Sequence, residues 1–194
     1  MTDEAFDFIL VVHDANCSMS SPPAKLSVFV SGHQVCLKIS GRANFTSSID
    51  FKTLVSELLQ KGFTYFVLDL SECVLMDSTF LGVLAGFGLK MVVAPGGDGS
   101  ARSIELRNPN NRIAELLENL GVAHLFKIVN CPDNLPGDKE SPCAPCAEPT
   151  REEVTRNCLE AHQTLMEIAP ANIPRFKDVA QFLAEDLKKA RAAS

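Results

Sequence analysis

Two groups of residues in this 194-residue chain could do chemistry. The first is Asp77-Ser78-Thr79, where the apolar run Phe66-Val-Leu-Asp-Leu70 hands over through a short turn to a helix opening at Asp77-Ser78. A serine at a helix start is by default an N-cap, its oxygen accepting a free backbone N–H. The same place suits a phosphate, because unpaired N–H groups and the helix dipole face it. Phosphorylation there would add about two negative charges beside the carboxylate of Asp77. Thr79 is the weaker alternative acceptor.

The second group is Cys143-x2-Cys146, followed after eleven residues by Cys158-x3-His162. This is a candidate Cys3His zinc set, since Cys158 and His162 lie one turn apart and face one point if that segment is helical. Cys131 is a spare ligand or a disulfide candidate. Two plainer readings stand beside the metal. Cys158 and His162 share an apolar stripe with Val154 and Leu165 and could both be core residues. Cys143 and Cys146 could form a reversible disulfide. Cys17, Cys36 and Cys73 are scattered and read as small thiols, the last two in apolar strands. His33 and His124 have no catalytic companion nearby, and Gly96-Gly97 precedes a strand rather than a helix, so no nucleotide fingerprint is present.

The elements that must position these residues follow from pattern. Phe6–Val12 is strand-like and reads as an extra edge strand or a docking arm. Leu26–Val30 and Val35–Ile39, joined at Ser31-Gly-His33, form a hairpin ended by Gly41. Phe51, Leu54, Val55, Leu58 and Leu59 mark a helix over 48–61 closed by Gly62. Tyr65–Leu70 is a central strand covered on both faces. The helix from Ser78 stops before the loop Pro95–Ser100, and Ser103–Arg107 is a strand. Residues 109–120 form a helix closed by Gly121, and Leu125–Val129 is the last strand. Strands alternating with helices predict an α/β domain with a largely parallel sheet.

Residues 131–149 read as a Pro-, Gly- and Cys-rich linker. Thr150-Arg-Glu-Glu153 is a capping box that opens a helix to about Ile168. Ala169-Pro-Ala-Asn172 breaks it, and a second helix from about Pro174 presents Phe176, Val179, Phe182, Leu183 and Leu187. The expected organisation is a 1–24 extension, a 25–130 domain, a 131–149 linker and a 150–194 helical hairpin. The hairpin is too small to stand alone. It packs on the α/β domain, on another copy as a homodimer, or on a partner.

A net charge of −6 gives no basic face for nucleic acid. No apolar run is long enough to span a membrane, and the N-terminus lacks a basic region before its apolar residues, so a soluble cytoplasmic protein is expected.

With its elements in this order, the sequence resembles the STAS family, the bacterial anti-sigma factor antagonists. The family opens its central helix with Met-Asp-Ser-Ser-Gly-Leu-Gly. Met76-Asp77-Ser78-Thr79-Phe80-Leu81-Gly82 matches it at five of seven places. Asn108–Val129 is similar to the family's closing helix and strand, and the resemblance covers roughly residues 25–130. It implies the STAS (SpoIIAA-like) fold, a mixed, largely parallel sheet flanked by helices, here followed by the helical hairpin. It also implies a binding module rather than an enzyme. In the family the first serine of the motif is phosphorylated by an anti-sigma factor that is itself a serine kinase, and a metal-dependent Ser/Thr phosphatase resets it. By position, Ser78 is the phospho-acceptor, and Asp77, Ser78, Thr79, Phe80 and Asn44 lie on the partner-facing region. Two departures stand out: Phe80 replaces the family glycine, and Asn44 stands where the family has an acid. A bulky Phe80 on that face would suit hydrophobic docking. The resemblance implies no cofactor, so zinc would be an addition of this chain. The alternatives to a phosphoswitch are an unphosphorylated scaffold or a metal- or redox-responsive module, both working through the tail.

Overall fold

In the computed structural model, residues 11–12, 24–31, 34–93, 103–131 and 149–192 are described. The elements in chain order are β1 (Val11–Val12), β2 (Lys25–Ser31), β3 (Gln34–Ala43), α1 (Ser47–Gln60), β4 (Tyr65–Asp69), β5 (Cys73–Met76), α2 (Ser78–Val93), β6 (Ser103–Arg107), α3 (Asn111–Asn119), β7 (Lys127–Val129), α4 (Arg151–Ile168) and α5 (Ile173–Ala192). Short 3-10 turns precede β7 and α5.

The sheet runs β1-β2-β3-β4-β6-β7, and β5 pairs with the far end of β3. The β1–β2 and β2–β3 pairings are antiparallel, and the rest are parallel. This is the mixed, largely parallel sheet expected for the STAS fold. Of the strand-like run Phe6–Val12, Val11–Val12 is seen, as an edge strand on β2; the rest lies outside the described residues.

Two elements depart from expectation. Gly41 does not end the hairpin strand. It takes a positive φ of 77°, at the register shift where β3 leaves β4 and continues to Ala43 alongside β5. A glycine tolerates this conformation, so the strand kinks rather than stops. The stretch read as a turn before Asp77 contains β5 itself. Four residues with Val74 exposed carry too short an alternation to announce a strand.

Alternation in β4 and β6 sorts the two faces of the sheet. Phe66, Leu68, Ile104 and Leu106 enter the core cluster with residues of α1, α2 and α3. On the opposite face Glu105 is buried, and it accepts from Arg107 at 2.7 Å, Lys127 at 3.1 Å and Tyr65 at 3.1 Å, which staples β4, β6 and β7 together.

Phe80 belongs to this core. It is fully buried, 5.1 Å from the ring of Phe51, which in turn meets Phe87 edge-on. The expectation that Phe80 lies on a partner-facing surface is therefore corrected. At the third position of α2 its side chain points down toward α1, and three turns of apolar residues on the same helix follow it inward. A phenylalanine fills volume here that a glycine would leave to neighbours.

The C-terminal hairpin packs on the domain as a further layer. The helix α4 lies along α2 and is hydrogen-bonded to α1 through Asn157–Ser48 and Lys52–Glu160, and α5 packs on α4. The capping box is formed as expected, with Thr150 accepting from Glu153 N and Glu153 reaching back to Thr150 N. Asn172, almost completely buried, donates to the carbonyls of Leu120 and Leu165 and so fastens the hairpin bend to the end of α3. Of the apolar residues expected on the inner face of α5, Leu187 is buried and Phe176 packs against the core cluster. Val179 and Phe182 remain exposed.

Phe80→Ala should lower the free energy of unfolding by about 3–5 kcal/mol in urea titrations, the cost of truncating a buried phenylalanine. A loss within about 0.5 kcal/mol, the usual effect of a surface change, would return Phe80 to the surface.

Candidate functional site at the start of the second helix

The carboxylate of Asp77 organises this corner. Its Oδ1 accepts from Phe80 N at 2.8 Å, three residues into α2, and its Oδ2 accepts from Phe45 N at 2.8 Å. Its own N–H donates to the Ala43 carbonyl at 2.9 Å. Asp77 is thus the N-cap of α2, and Ser78 is the first helical residue. Sequence reasoning placed the cap on Ser78, because both residue types cap well and the helix start is hard to fix to one position.

Capping by Asp77 releases the Ser78 hydroxyl. Its Oγ lies 3.1 Å from His162 Nε2 on α4. Ser78 is partly exposed, whereas Thr79 is buried and its hydroxyl points at Cys158 Sγ, 3.8 Å away. Asn44 sits beside this corner at the entry to α1. Its Oδ1 accepts from Ser47 N at 3.0 Å, and its N–H donates to Ser47 Oγ at 3.0 Å. Of the five residues expected on the partner-facing region, the structure gathers Asn44, Asp77 and Ser78 at one edge and turns Thr79 and Phe80 inward.

The approach of α4 is set by small residues. Ser78, Gly82 and Gly86 recur at four-residue spacing along one face of α2. A Cβ built on Gly82 would lie 2.5 Å from the Ala161 carbonyl oxygen, and one on Gly86 would touch Thr164 at 3.5 Å. Only a residue without a side chain lets the α4 backbone come this close. Polar contacts flank the crossing. Asn157 Nδ2 donates to Ser48 Oγ at 2.8 Å, and Lys52 meets Glu160 at 2.5 Å.

Buried His162 lies tilted against Phe176, with ring centroids 4.8 Å apart and planes 40° apart. Burial holds its pKa below the ordinary histidine value, opposed by the Cys158 backbone and by the Asp77 charge. Its Nδ1 makes no hydrogen bond of good geometry. A serine hydroxyl against an imidazole is the pairing of a nucleophile and its base, and among the described residues no carboxylate is hydrogen-bonded to Nδ1. Here the ring holds the hydroxyl in place. Cys158 Sγ and His162 Nε2 both face hydroxyls of α2, and burial raises the Cys158 pKa. The other two members of the expected zinc set, Cys143 and Cys146, lie outside the described residues. Among the described residues no three His, Cys, Asp or Glu side chains gather as a metal site, and no helix is long and apolar enough to cross a membrane.

Sequence reasoning missed that α4 covers the start of α2. The signal was present in Ser78, Gly82 and Gly86, a small-residue stripe on a helix whose other faces are apolar. Nothing in the linear pattern says which helix would fill it.

Asp77→Ala should destabilise the fold by about 0.5–2 kcal/mol, as loss of an N-cap does; an unchanged urea midpoint would remove Asp77 from this role. Because the folded pKa of His162 is lowered, its neutral ring contributes fully above the unfolded value near 6.5 and is penalised as pH falls below it. The urea midpoint of the wild type should therefore fall more between pH 7.5 and 5.5 than that of His162→Gln. Equal falls would show that His162 does not titrate with unfolding.

The family model "Mlab, STAS domain" matches residues 27–129, the span from β2 to β7. Comparison with curated proteins finds no match. Among solved structures, the anti-sigma factor antagonist SpoIIAA in its unphosphorylated form is 14% identical, with a TM-score of 0.47, covering 56% of this chain and 89% of that one. A Thermotoga maritima protein, tm1081, described as a candidate anti-sigma factor antagonist, is 24% identical with a TM-score of 0.43, covering 52% of this chain and 82% of that one. With the family model spanning more than half of its length and the mixed sheet and Asp77-capped helix in place, the chain belongs to the Mlab STAS-domain family.

Proposed function

We propose that this protein is a non-enzymatic regulatory binding module, an anti-sigma factor antagonist switched by phosphorylation of Ser78. Its partners on this reading are an anti-sigma factor that is also a serine kinase, and a Ser/Thr phosphatase that restores the hydroxyl. The observation that carries the proposal is the division of labour between Asp77 and Ser78. Asp77 uses both carboxylate oxygens to cap α2 and hold Phe45 N. Among the described residues, the Ser78 hydroxyl meets a side chain of the tail, His162 Nε2. Modifying Ser78 therefore need not undo the helix that presents it, and the first-turn N–H groups and helix dipole tolerate the added charge. Two further charges beside Asp77 would repel an acidic partner surface and displace any close packing. Thr79, buried beneath α4, is the poorer acceptor.

A second reading is favoured by the same tail. A scaffold that binds through α4 and α5 would use the covered Ser78 only as a packing residue, and its binding would ignore phosphorylation.

Incubation with ATP and a serine-kinase anti-sigma factor should place one phosphate on Ser78, read by mass spectrometry of the digested protein. Ser78→Asp should weaken kinase binding by roughly tenfold or more, about 1.4 kcal/mol. No label on Ser78, or equal binding by Ser78→Asp, would sink the switch and leave the scaffold.

A further inference from the structure

We infer that α4 is an autoinhibitory cover on Ser78, and that phosphorylation of Ser78 waits on the lifting of the C-terminal hairpin. The inference deepens the proposed function and rests on its reading that Ser78 is the phospho-acceptor.

The atom that must react is the one that is covered. Ser78 keeps part of its surface, but its Oγ lies 3.1 Å from Nε2 of the buried His162. In phosphoryl transfer from ATP, the Oγ–P bond forms as the bond from the γ-phosphorus to ADP breaks, and the hydroxyl proton passes to a base on the kinase. The attacking oxygen, the phosphorus and the leaving oxygen come into line, so Oγ must be open to the phosphate and to that base together. With the hairpin seated, the hydrogen-bonding reach of Oγ is taken by a ring of its own chain. Thr79, the alternative acceptor, is closed by the same helix, since it is buried and its hydroxyl faces Cys158 Sγ.

A swing of the His162 side chain alone does not clear the site. The ring meets Ser78 of α2 and Phe176 of α5. Its neighbour Ala161 touches the α2 backbone, since a Cβ on Gly82 would lie 2.5 Å from its carbonyl oxygen. Asn157 is bonded to Ser48, Glu160 to Lys52, and Asn172 at the bend to the Leu120 carbonyl. Uncovering Ser78 therefore means lifting α4 from α2, with α5 behind it.

The hairpin is built to lift without the domain. Only Ala161 and Leu165 of its residues enter the buried core cluster, with Ile168 and Phe176 packed against it. A segment with few buried apolar residues opens locally, at less cost than the whole fold. Asn157 Oδ1 and His162 Nδ1 are also buried on α4 without a hydrogen-bond partner, which weakens the seating of that helix. A kinase that takes only the open form sees an affinity reduced by the fraction of the chain that is open.

Two variants of the full-length protein remove the cover in different ways. Ala161→Glu drives a longer side chain against Gly82 and lifts α4, whereas His162→Ala bares Oγ and keeps that backbone contact. Alkylation of Cys158 by iodoacetamide, read on its peptide by mass spectrometry, reports the seating of α4 without any kinase. Ser78 labelling by ATP and a serine-kinase anti-sigma factor reports the gate. Ala161→Glu should speed both reactions by about tenfold or more, an ordinary coupling between two mutually exclusive states, and His162→Ala should speed the labelling. Leu26→Ala, which weakens the sheet at β2, should leave the labelling rate unchanged and so separate lifting from a general loss of stability. Equal labelling of the wild type and both cover variants would overturn the gate and leave the switch standing. Slower labelling of His162→Ala would also overturn it, making the ring a base instead of a cover, as would unchanged Cys158 alkylation in Ala161→Glu. No label on any of the proteins would remove the switch reading, and the gate with it.

Discussion

The corner where α2 begins depends on one carboxylate. Asp77 joins two chain segments more than thirty residues apart, the exit of β5 into α2 and the entry from β3 into α1. Both oxygens are satisfied by backbone N–H groups, and charge-assisted bonds of this kind are stronger than those between neutral groups. The strand ends and helix starts are thereby held in register, with Asn44 closing the neighbouring turn through Ser47. With the cap provided by the aspartate, the adjacent serine hydroxyl is free to serve another purpose.

What the hydroxyl meets is decided by how close another helix can come. Gly82 carries no side chain to stand between α2 and the Ala161 backbone, and α4 settles with His162 over Ser78 and Asn157 over Ser48. The hairpin is too short to have a core of its own. Its stability comes from this contact, from the Phe176 packing beneath His162 and from the Asn172 bridge to the end of α3. The tail and the candidate site are consequently one structural unit. Movement of α4 would change the exposure of Ser78, the polarity around it and the burial of His162 together.

Phe80, Cys158 and His162 make sense in this frame. Phe80 fills the space between α1 and α2 from inside, against Phe51, and so leaves the outer surface of α2 small. Cys158 and His162 have the spacing of metal ligands because they sit one turn apart, and one turn is also the spacing that points both at a neighbouring helix. In the described structure that neighbour is α2.

Much of the α/β domain was legible in the sequence because its signals are local. Alternation in Ser103–Arg107, the helical stripe of Phe51 to Leu59, the capping box at Thr150 and the motif Met76–Gly82 each report on a few consecutive residues and their own periodicity. β5, the kink at Gly41 and the second bond of Asp77 were less legible, since each is fixed by partners far away in the chain: Ala43, Glu72 and Phe45. The sequence by itself determined the order of the α/β elements other than β5, the family and the serine at the start of α2. Only the tertiary structure decided that Phe80 faces inward, that Asp77 rather than Ser78 caps the helix, and that α4 lies over the site. The physical reason is that a side chain's role at a helix start depends on which backbone groups and which second helix come within hydrogen-bonding distance, and those distances exist only once the chain has folded.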